Sequence, residues 1–371
     1  MIKFLNGINL NIKLNKTGDV LRKRNKVSMR KIADELGVSP AMVSIVLNKR
    51  TEQYQVSEEN QKRITAKAAE LGYNPKSNKK ARKKVLIINP FGGIRGGGYE
   101  KFNLELINQI QGELDKSGWE FIFASSNIKT NEYYTEDQLN QTSAMIIQGL
   151  HENDDYKKLI DAANSANVLP IVTGRYFSGR NALYVDIDHY AGGRLVAEHL
   201  YDLGHANIAI MMGLDDQHGN KRLSGFLDFY REKDINIKEE MIWRYGEYNI
   251  TGGYNLTKKK YEEGLRPSAI FYMNNSMGMG GIYALQNLGV NIPNDISVVT
   301  FDNSSELDNI NPGLTTIDFE IGNTGRSLAN IIKNMIANDD RSQLSISAPV
   351  KLIERNSTKQ NATQNNLTQN N

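Results

Sequence analysis

A glycine-rich run follows an apolar stretch in the sequence VLIINPFGGIRGGGYEKF, residues 85–102. Backbone N–H groups in a loop that leads from a strand into a helix can bind phosphate, so this run is a candidate nucleotide site. The spacing G-G-x-x-G-G-G lacks the dinucleotide-binding fingerprint and the P-loop lysine. As a nucleotide site the run is therefore weak. Beside Arg95 it favours an anionic ligand group, and a flexible lip without a ligand role is an equal alternative.

The histidines could also do chemistry, but they are scattered, at positions 151, 189, 199, 205 and 218. His199 and His205 flank a helix end without the spacing of metal ligands. The chain has no G-x-S-x-G nucleophile motif, and its Asp-Asp pairs, 154–155 and 215–216, lie in polar contexts. The pattern predicts no catalytic residue, no metal site and no cofactor.

The composition indicates a soluble, intracellular chain. It has 371 residues and no cysteine, which excludes disulfides and thiolate metal sites and is typical of a reducing cytoplasm. No apolar run approaches the roughly 20 residues that span a bilayer. The first residues lack the apolar core of a signal peptide. We therefore expect a cytoplasmic protein without a membrane partner.

Charge divides the chain into a basic head and an acidic body. Residues 1–84 carry 20 Lys and Arg against 7 Asp and Glu, whereas the remaining residues carry 25 against 35. A small basic head favours a polyanionic partner such as nucleic acid.

The body alternates strand patterns with helix patterns from residue 85 to about 355. The strand-like runs are KVLIINP, EFIFASS, AMIIQG, LPIVTG, ALYVDID, NIAIMMG, AIFYMN and ISVVTFDN. Intervening runs carry apolar residues three or four apart and end at glycine, as amphipathic helices do. This order predicts an α/β domain of two parallel-sheet subdomains with helices on both faces, and ligands at the carboxyl ends of the strands.

The head contains the most informative motif, VSMRKIADELGVSPAMVSIVLN, at residues 27–48. Ser28 can cap one helix, Gly37 can end it, and Ser39 can cap the next, which begins with Pro40. A third helix, capped by Ser57, follows. Two helices joined by so short a turn predict an all-α helix-turn-helix domain, whose second helix enters the major groove. A generic helical bundle is the alternative.

These head residues, with VSEENQKRI and ELGYNP after them, resemble the DNA-binding domain of the LacI/GalR family of bacterial transcriptional regulators. The resemblance implies that residues of the head meet a near-palindromic DNA operator, here Ser28, Ser39, Pro40, Ala41, Ser44, Ile45 and Asn48. Many members have arginine where this chain has Ile45, which cannot make the bidentate guanine contact. The preferred operator should therefore differ from the common family sequence.

The connector departs from the family at Arg82, where relatives carry a leucine that wedges into the minor groove. An arginine lies in a narrow minor groove and neutralises phosphate instead of unstacking bases. We therefore expect weaker kinking of the operator and a steeper salt dependence, which measured operator bending would test.

The body resembles the family's effector domain, which has the periplasmic-binding-protein fold. The motifs VDIDHYAGGRLVAEHLYDLGHANIAIM, RLSGF, FYMNNSMGMGGIYAL, IPNDISVVTFDN and NPGLTTI follow one another in family order. The implied effector-binding residues are Phe91, Arg222, Tyr248, Asn274 and Asp302. An ordinary ion pair is the alternative for Arg222 and Asp302, and a rim position is the alternative for Tyr248.

The sequence thus predicts a regulator, expected to be a repressor, that is a homodimer or larger and responds to a sugar or sugar phosphate. An enzyme that binds a nucleotide or sugar phosphate through loop 92–98 is the alternative. The predicted segments are a flexible basic extension (1–26), the helix-turn-helix domain (27–73), a hinge (74–84), the effector domain (85–357) and a disordered tail (358–371).

Overall fold

The computed structural model describes residues 28–47, 56–71, 83–88, 98–124, 133–148, 153–214, 217–246 and 249–361. In chain order the helices are α1 (Met29–Leu36), α2 (Pro40–Leu47), α3 (Glu58–Glu70), α4 (Gly98–Asp115), α5 (Glu136–Asn140), α6 (Asn153–Ser165), α7 (His189–Asp202), α8 (Gln217–Glu232), α9 (Ile250–Glu262), α10 (Asn275–Asn287), α11 (Glu306–Asn309) and α12 (Ile321–Ala337). The strands are β1 (Lys84–Ile88), β2 (Glu120–Phe123), β3 (Ala144–Ile147), β4 (Leu169–Thr173), β5 (Leu183–Ile187), β6 (Ile208–Gly213), β7 (Ile242–Tyr245), β8 (Ala269–Tyr272), β9 (Ser297–Phe301), β10 (Thr315–Phe319), β11 (Leu344–Ala348) and β12 (Val350–Ile353).

The head is a three-helix unit whose helix ends follow the predicted signals. The Oγ of Ser28 accepts from the backbone N–H of Lys31 at 3.1 Å, and Gly37 ends α1 in the left-handed region at φ 67°. The Oγ of Ser39 accepts from the N–H of Met42 at 3.2 Å, and α2 begins at Pro40. One small core joins the three helices, formed by Ile32, Ala33, Val43, Val46, Ile64 and Ala68. The predicted caps, turn and helix order of the head are therefore confirmed.

The body consists of two lobes, each built on a six-stranded sheet. The first-lobe sheet has the order β11-β5-β4-β3-β1-β2 and is parallel throughout. The second-lobe sheet has the order β12-β10-β9-β8-β6-β7, in which only β12 is antiparallel, to β10. The predicted α/β architecture is confirmed, and the antiparallel edge strand is an addition to it.

Helices cover both faces of each sheet because alternate strand residues point to opposite sides. In β1, Val85 and Ile87 join the apolar cluster that contains α4 and α12, whereas Leu86 and Ile88 join the cluster that contains α6. In the second lobe α7 and α8 pack on one face, and α9 and α10 pack on the other.

Three crossings connect the lobes, at residues 187–189, 319–321 and 348–350. The first crossing runs from the end of β5 directly into α7. Side chains on either side of this crossing are therefore held near one another by the chain itself.

All eight strands expected from apolar runs are present, as β1–β6, β8 and β9. The sequence did not indicate β7, β10, β11 and β12. Strand β7 is four residues long and includes Arg244, and Pro349 separates β11 from β12. These strands have mixed polar and apolar sequences because they lie at or beside sheet edges, where one side is partly exposed.

Candidate nucleic-acid interface and ligand cleft

Helix α2 has an exposed face at its N-terminal end. Pro40 and Ala41 are exposed, Ser44 and Ile45 are half-buried, and the apolar residues that hold the helix lie opposite. Ile45 is absent from the head core, which agrees with its expected outward position. Small side chains at the start of the helix leave its backbone free to approach the edges of bases.

The two capping serines lie at helix N-termini, which attract anions. Because each Oγ accepts a backbone N–H, its own proton remains available to a phosphate oxygen. Arg30 and Lys31 are exposed in the first turn of α1. This arrangement suits backbone positioning by Ser28 and Ser39 and base reading by the face of α2. Asn48 and Arg82 lie outside the described residues, so their predicted roles remain predictions.

The candidate ligand cleft is the space bordered by the carboxyl ends of the two sheets, the place where open α/β folds bind ligands. On the second-lobe side Arg222 of α8 is buried. Its guanidinium lies 3.7 Å from the centroid of the Phe301 ring and donates to the carbonyl of Met273. It also lies 3.5 Å from a carboxylate oxygen of Asp302. The structure thus brings Arg222 and Asp302 together as a buried ion pair, and their contact with a ligand remains a prediction.

Asp302 follows β9 in a strained conformation with φ 73°. Left-handed backbone at a residue other than glycine is uncommon, although aspartate tolerates it better than most residues. Such strain gathers at binding sites, where the surrounding structure fixes it. The conformation directs a buried carboxylate to Arg222.

Asn274 caps helix α10, since its Oδ1 accepts the backbone N–H of Met277 at 2.8 Å. Its neighbour Asn275 is also buried, and its amide donates to the Oγ of Ser304 at 3.2 Å. The Oδ1 of Asn274 thus already accepts a bond within the protein. Phe91, Tyr248 and loop 92–97 lie outside the described residues.

Sequence reasoning missed a cluster of Asp186, His189 and His218, because these residues lie on β5, α7 and α8. Nε2 of His189 lies 3.2 Å from one oxygen of Asp186, and Nε2 of His218 lies 3.7 Å from the other. The two imidazole rings stack with centroids 4.3 Å apart. Nε2 of His218 also lies 2.7 Å from the carbonyl of Gly174, at the end of β4. A hint in the sequence was the D-x-x-H spacing across a strand end.

The hydrogen-bond partners of His189 fix its tautomer. Nε of Arg222 lies 3.2 Å from Nδ1 of His189, and a guanidinium can only donate. Nδ1 is therefore the acceptor, and Nε2 carries the proton that is donated to Asp186. Burial lowers the pKa of His189 to about 3, an effect that Asp186 opposes and the charge of Arg222 reinforces. His189 is consequently neutral near pH 7.

Asp186 is held ionised. Burial alone would raise its pKa, but the hydrogen bond from His189 and the positive potential of His218 and Lys221 hold that pKa well below the ordinary value. Lys221 lies 3.4 Å from this carboxylate.

The spacing of this cluster resembles a metal site, but its donor chemistry does not fit one. A metal-bound histidine usually donates its other N–H to an acceptor. His189 instead accepts there from Arg222, and its Nε2 lone pair is occupied by a proton. Arg222 and Lys221 add two positive charges beside the position of a cation. The cluster is better described as a hydrogen-bonded bridge.

The first-lobe side of the cleft carries two polar side chains that lack partners. Gln148 follows β3 and Thr173 ends β4. The parallel register of Ile147 with Val172 makes them neighbours on the same face of the sheet. Both are 1% exposed, and among the described residues neither the Gln148 amide nor the Thr173 hydroxyl has a hydrogen-bond partner. Asn103, on the helix that covers this face, also has an unpaired Oδ1. Unpaired buried atoms cost about 1–3 kcal/mol each, so hydrogen bonds from a bound polar ligand to these groups would stabilise the protein.

Comparisons with known proteins agree with these features. A family model described as bacterial regulatory proteins, lacI family, matches residues 28–76, and one described as a periplasmic binding protein-like domain matches residues 197–358. The HTH-type transcriptional repressor PurR of Proteus mirabilis (strain HI4320) is 25% identical over 334 residues, which cover 89% of this chain and 96% of PurR.

Solved structures share the fold. A complex of the transcriptional regulator CelR with cellobiose superposes with a TM-score of 0.62 at 22% identity, covering 89% of this chain and 99% of that one. A lac repressor dimer bound to operator and the anti-inducer ONPF superposes with a TM-score of 0.61 at 23% identity, covering 90% and 100%. With a helix-turn-helix head that matches the lacI model and a body that matches the binding-protein model, the chain belongs to the LacI family of bacterial regulatory proteins.

Proposed function

We propose that this chain is a sequence-specific DNA-binding transcriptional repressor whose operator affinity is controlled by a small effector bound between the two lobes. The observation that carries the proposal is the combination, in one chain, of the capped helix-turn-helix with a cleft lined by buried polar groups. The PurR relative is itself named a transcriptional repressor. The related structures named above bind operator DNA or a sugar.

The DNA-binding step places α2 in the major groove. Pro40, Ala41 and Ile45 contact bases there, while Ser28 and Ser39 contact phosphates. Ile45 provides an apolar surface that fits a thymine methyl group and cannot pair with guanine. Two heads of a homodimer then read the two halves of a near-palindromic operator in successive major grooves.

The effector is a small hydroxyl-rich molecule, and a sugar is the class that fits best. Gln148 and Thr173 supply an unpaired amide and hydroxyl on the first-lobe wall, which complete their hydrogen bonds with ligand hydroxyls. Arg222 and Asp302 supply a charged pair on the second-lobe wall. A sugar phosphate remains the alternative if Arg95 and the glycine loop bind an anion. We propose no catalytic step, because a histidine with a pKa near 3 is a poor general base at neutral pH.

The DNA-binding proposal is tested by a mobility-shift titration of the full-length chain with DNA from upstream of its own gene. Ala41→Glu places a negative charge on the exposed start of α2 and is expected to weaken specific binding at least tenfold. Ala66→Glu makes the same change on an exposed position of α3, so it is the matched control. Loss of a direct base contact costs about 1–3 kcal/mol. Equal weakening by both variants would show that α2 does not read the operator.

The effector proposal is tested by calorimetric titration with neutral sugars, cellobiose included, and with the corresponding sugar phosphates. We expect a sugar to bind, to alter operator affinity, and to lose affinity in Gln148→Leu. Binding of a sugar phosphate alone, abolished by Arg95→Ala, would favour the anionic alternative. Operator affinity unaffected by every ligand would overturn the regulatory part of the proposal.

A further inference from the structure

A chain of hydrogen bonds connects the floor of the cleft to the opposite lobe. It begins at Arg222 and Asp302 of the second lobe, passes through the buried imidazole of His189, and ends on the carboxylate of Asp186. Asp186 belongs to β5 of the first-lobe sheet, whereas His189 and Arg222 belong to α7 and α8 of the second lobe. The connection therefore crosses from one lobe to the other.

The donor and the acceptor are fixed in each hydrogen bond that His189 makes. Arg222 only donates, so Nδ1 of His189 accepts, and Nε2–H of His189 donates to the ionised Asp186. Since His189 is neutral near pH 7, it keeps these donor and acceptor roles and does not switch by changing its charge.

Close packing of α7 on α8 brings His189 and Arg222 within hydrogen-bond distance. A Cβ placed on Gly193 would overlap the backbone of Arg222, and one on Gly225 would overlap the backbone of Tyr190. The absence of side chains at both glycines allows the two helices to approach with His189 directly beside Arg222. The pair therefore behaves as one unit of the second lobe.

Further groups of α8 converge on the same first-lobe edge. His218 lies 2.7 Å from the carbonyl of Gly174 and donates to it, since a carbonyl only accepts. Lys221 lies 3.4 Å from Asp186. The first turns of α8 thus place basic side chains against the ends of β4 and β5.

From these contacts we propose that His189 is a positioning residue, which holds Arg222 in place and ties it to Asp186, so that a change at Arg222 alters the relative position of the two lobes. The inference rests on the proposed function only in taking Arg222 as an effector contact. The mechanical connection is a property of the free protein. An effector that draws the guanidinium away from His189 would release the bridge to the first lobe.

The test measures the distance between the lobes in the full-length protein without DNA or ligand. Because the chain has no cysteine, Lys158→Cys on α6 and Lys238→Cys after α8 can be labelled specifically with a fluorophore pair. Both lysine side chains are exposed and lie on different lobes. Single-molecule energy transfer then reports the distribution of lobe distances.

We expect His189→Leu to shift this distribution to longer distances and His189→Gln to restore it, because glutamine can accept from Arg222 and donate to Asp186. Arg222→Gln should produce the same shift as His189→Leu. The double variant Arg222→Gln/His189→Leu should add nothing further if the two residues act in one chain.

The matched control is His205, the other strongly buried histidine of the second lobe. It contacts Ser268 at 3.0 Å and the carbonyl of Lys359 at 3.1 Å, both in its own lobe. His205→Leu should lower thermal stability without changing the lobe distance. Should His189→Leu fail to fold, Asp186→Ala on the first-lobe side replaces it, with the same expected shift.

An unchanged distance distribution in both His189→Leu and Asp186→Ala would overturn the inference, and so would an equal shift in His205→Leu. The proposed function is judged separately by DNA binding. If the protein shows the expected distance shifts but does not bind DNA, the proposed function is wrong and the inference about His189 still holds.

Discussion

The two walls of the cleft satisfy their polar groups in opposite ways. On the second-lobe wall Arg222, Asp302 and Asn274 are buried and already have partners within the protein. On the first-lobe wall Gln148 and Thr173 are equally buried, and their side chains have no partner within the described part of the chain. Polar groups that already have partners lose little free energy when they are held in place. Buried groups without partners gain the most hydrogen-bond energy from a ligand. Under the proposed function, we expect the second lobe to orient the effector and the first lobe to gain hydrogen bonds from it.

The largest effect is expected from breaking the buried ion pair. Asp302→Asn keeps a residue that tolerates φ 73° but leaves the charge of Arg222 without its counter-ion. We expect the free energy of unfolding to fall by about 3 kcal/mol, as for other buried pairs that lose one partner. Urea denaturation measures it. Arg222→Met/Asp302→Asn, which removes both charges, should recover part of the loss, and no recovery would argue against an ion pair.

Glycine-to-alanine substitutions should have opposite effects on stability at the close contact between α7 and α8 of the second lobe and at an open position in the first lobe. Gly225→Ala forces a methyl group into the backbone of α7 and should destabilise the protein by about 2–3 kcal/mol. Gly112→Ala on α4 meets no atom within 4 Å and should stabilise it by about 0.5–1 kcal/mol through helix propensity. Thermal unfolding of both variants measures the two changes in stability. Changes of the same sign would contradict the prediction.

Acid should lower the free energy of unfolding, because the buried His189 is neutral in the folded protein. The pKa of His189 is about 3 in the folded protein and near 6.5 when unfolded, so its contribution is complete above pH 6.5 and is lost as pH falls from 6.5 towards 3. One such group adds at most about 1.4 kcal/mol per pH unit to the slope of stability. His189→Gln should have a smaller slope between pH 6.5 and 4.5 in urea titrations. An identical slope would show that His189 does not control this dependence.

A pair of buried threonines should test the first-lobe wall most directly. The hydroxyl of Thr257 in the second lobe lies 2.9 Å from the hydroxyl of Tyr272, whereas no described residue pairs with the Thr173 hydroxyl. Thr257→Val leaves the Tyr272 hydroxyl buried and unpaired, and should cost about 1 kcal/mol. Thr173→Val removes an unpaired group and should be neutral or stabilising by up to about 1 kcal/mol, while weakening effector binding. A loss of stability in Thr173→Val would mean that its hydroxyl is satisfied in solution.

Most of the head could be predicted from its sequence because its signals are local. Ser28, Gly37, Ser39 and Pro40 mark helix ends within a few residues, and the apolar spacing between them indicates which face of each helix is buried. The strands with continuous apolar runs were equally predictable. Strand β11 was not, because it pairs with β5 across more than a hundred residues of chain and carries a mixed sequence.

The cleft was predictable only in part. The family resemblance pointed to Arg222 and Asp302, which the structure brings together, but it did not indicate their connection to Asp186 through His189. Nor did any local pattern mark Gln148 and Thr173, since an isolated polar residue after an apolar run is common at strand ends. Their significance depends on burial and on missing partners, which are properties of the folded chain.

The sequence by itself determined the helix-turn-helix, the alternation of strands and helices, and the basic head, because each follows from residues close together in the chain. Only the tertiary structure decided which polar groups are paired, which tautomer His189 adopts, and which residues connect the lobes. The physical reason is that burial and hydrogen-bond partnership are set where distant segments meet. In this protein the segments that meet at the cleft are the ends of two separate sheets and the first turns of α7 and α8.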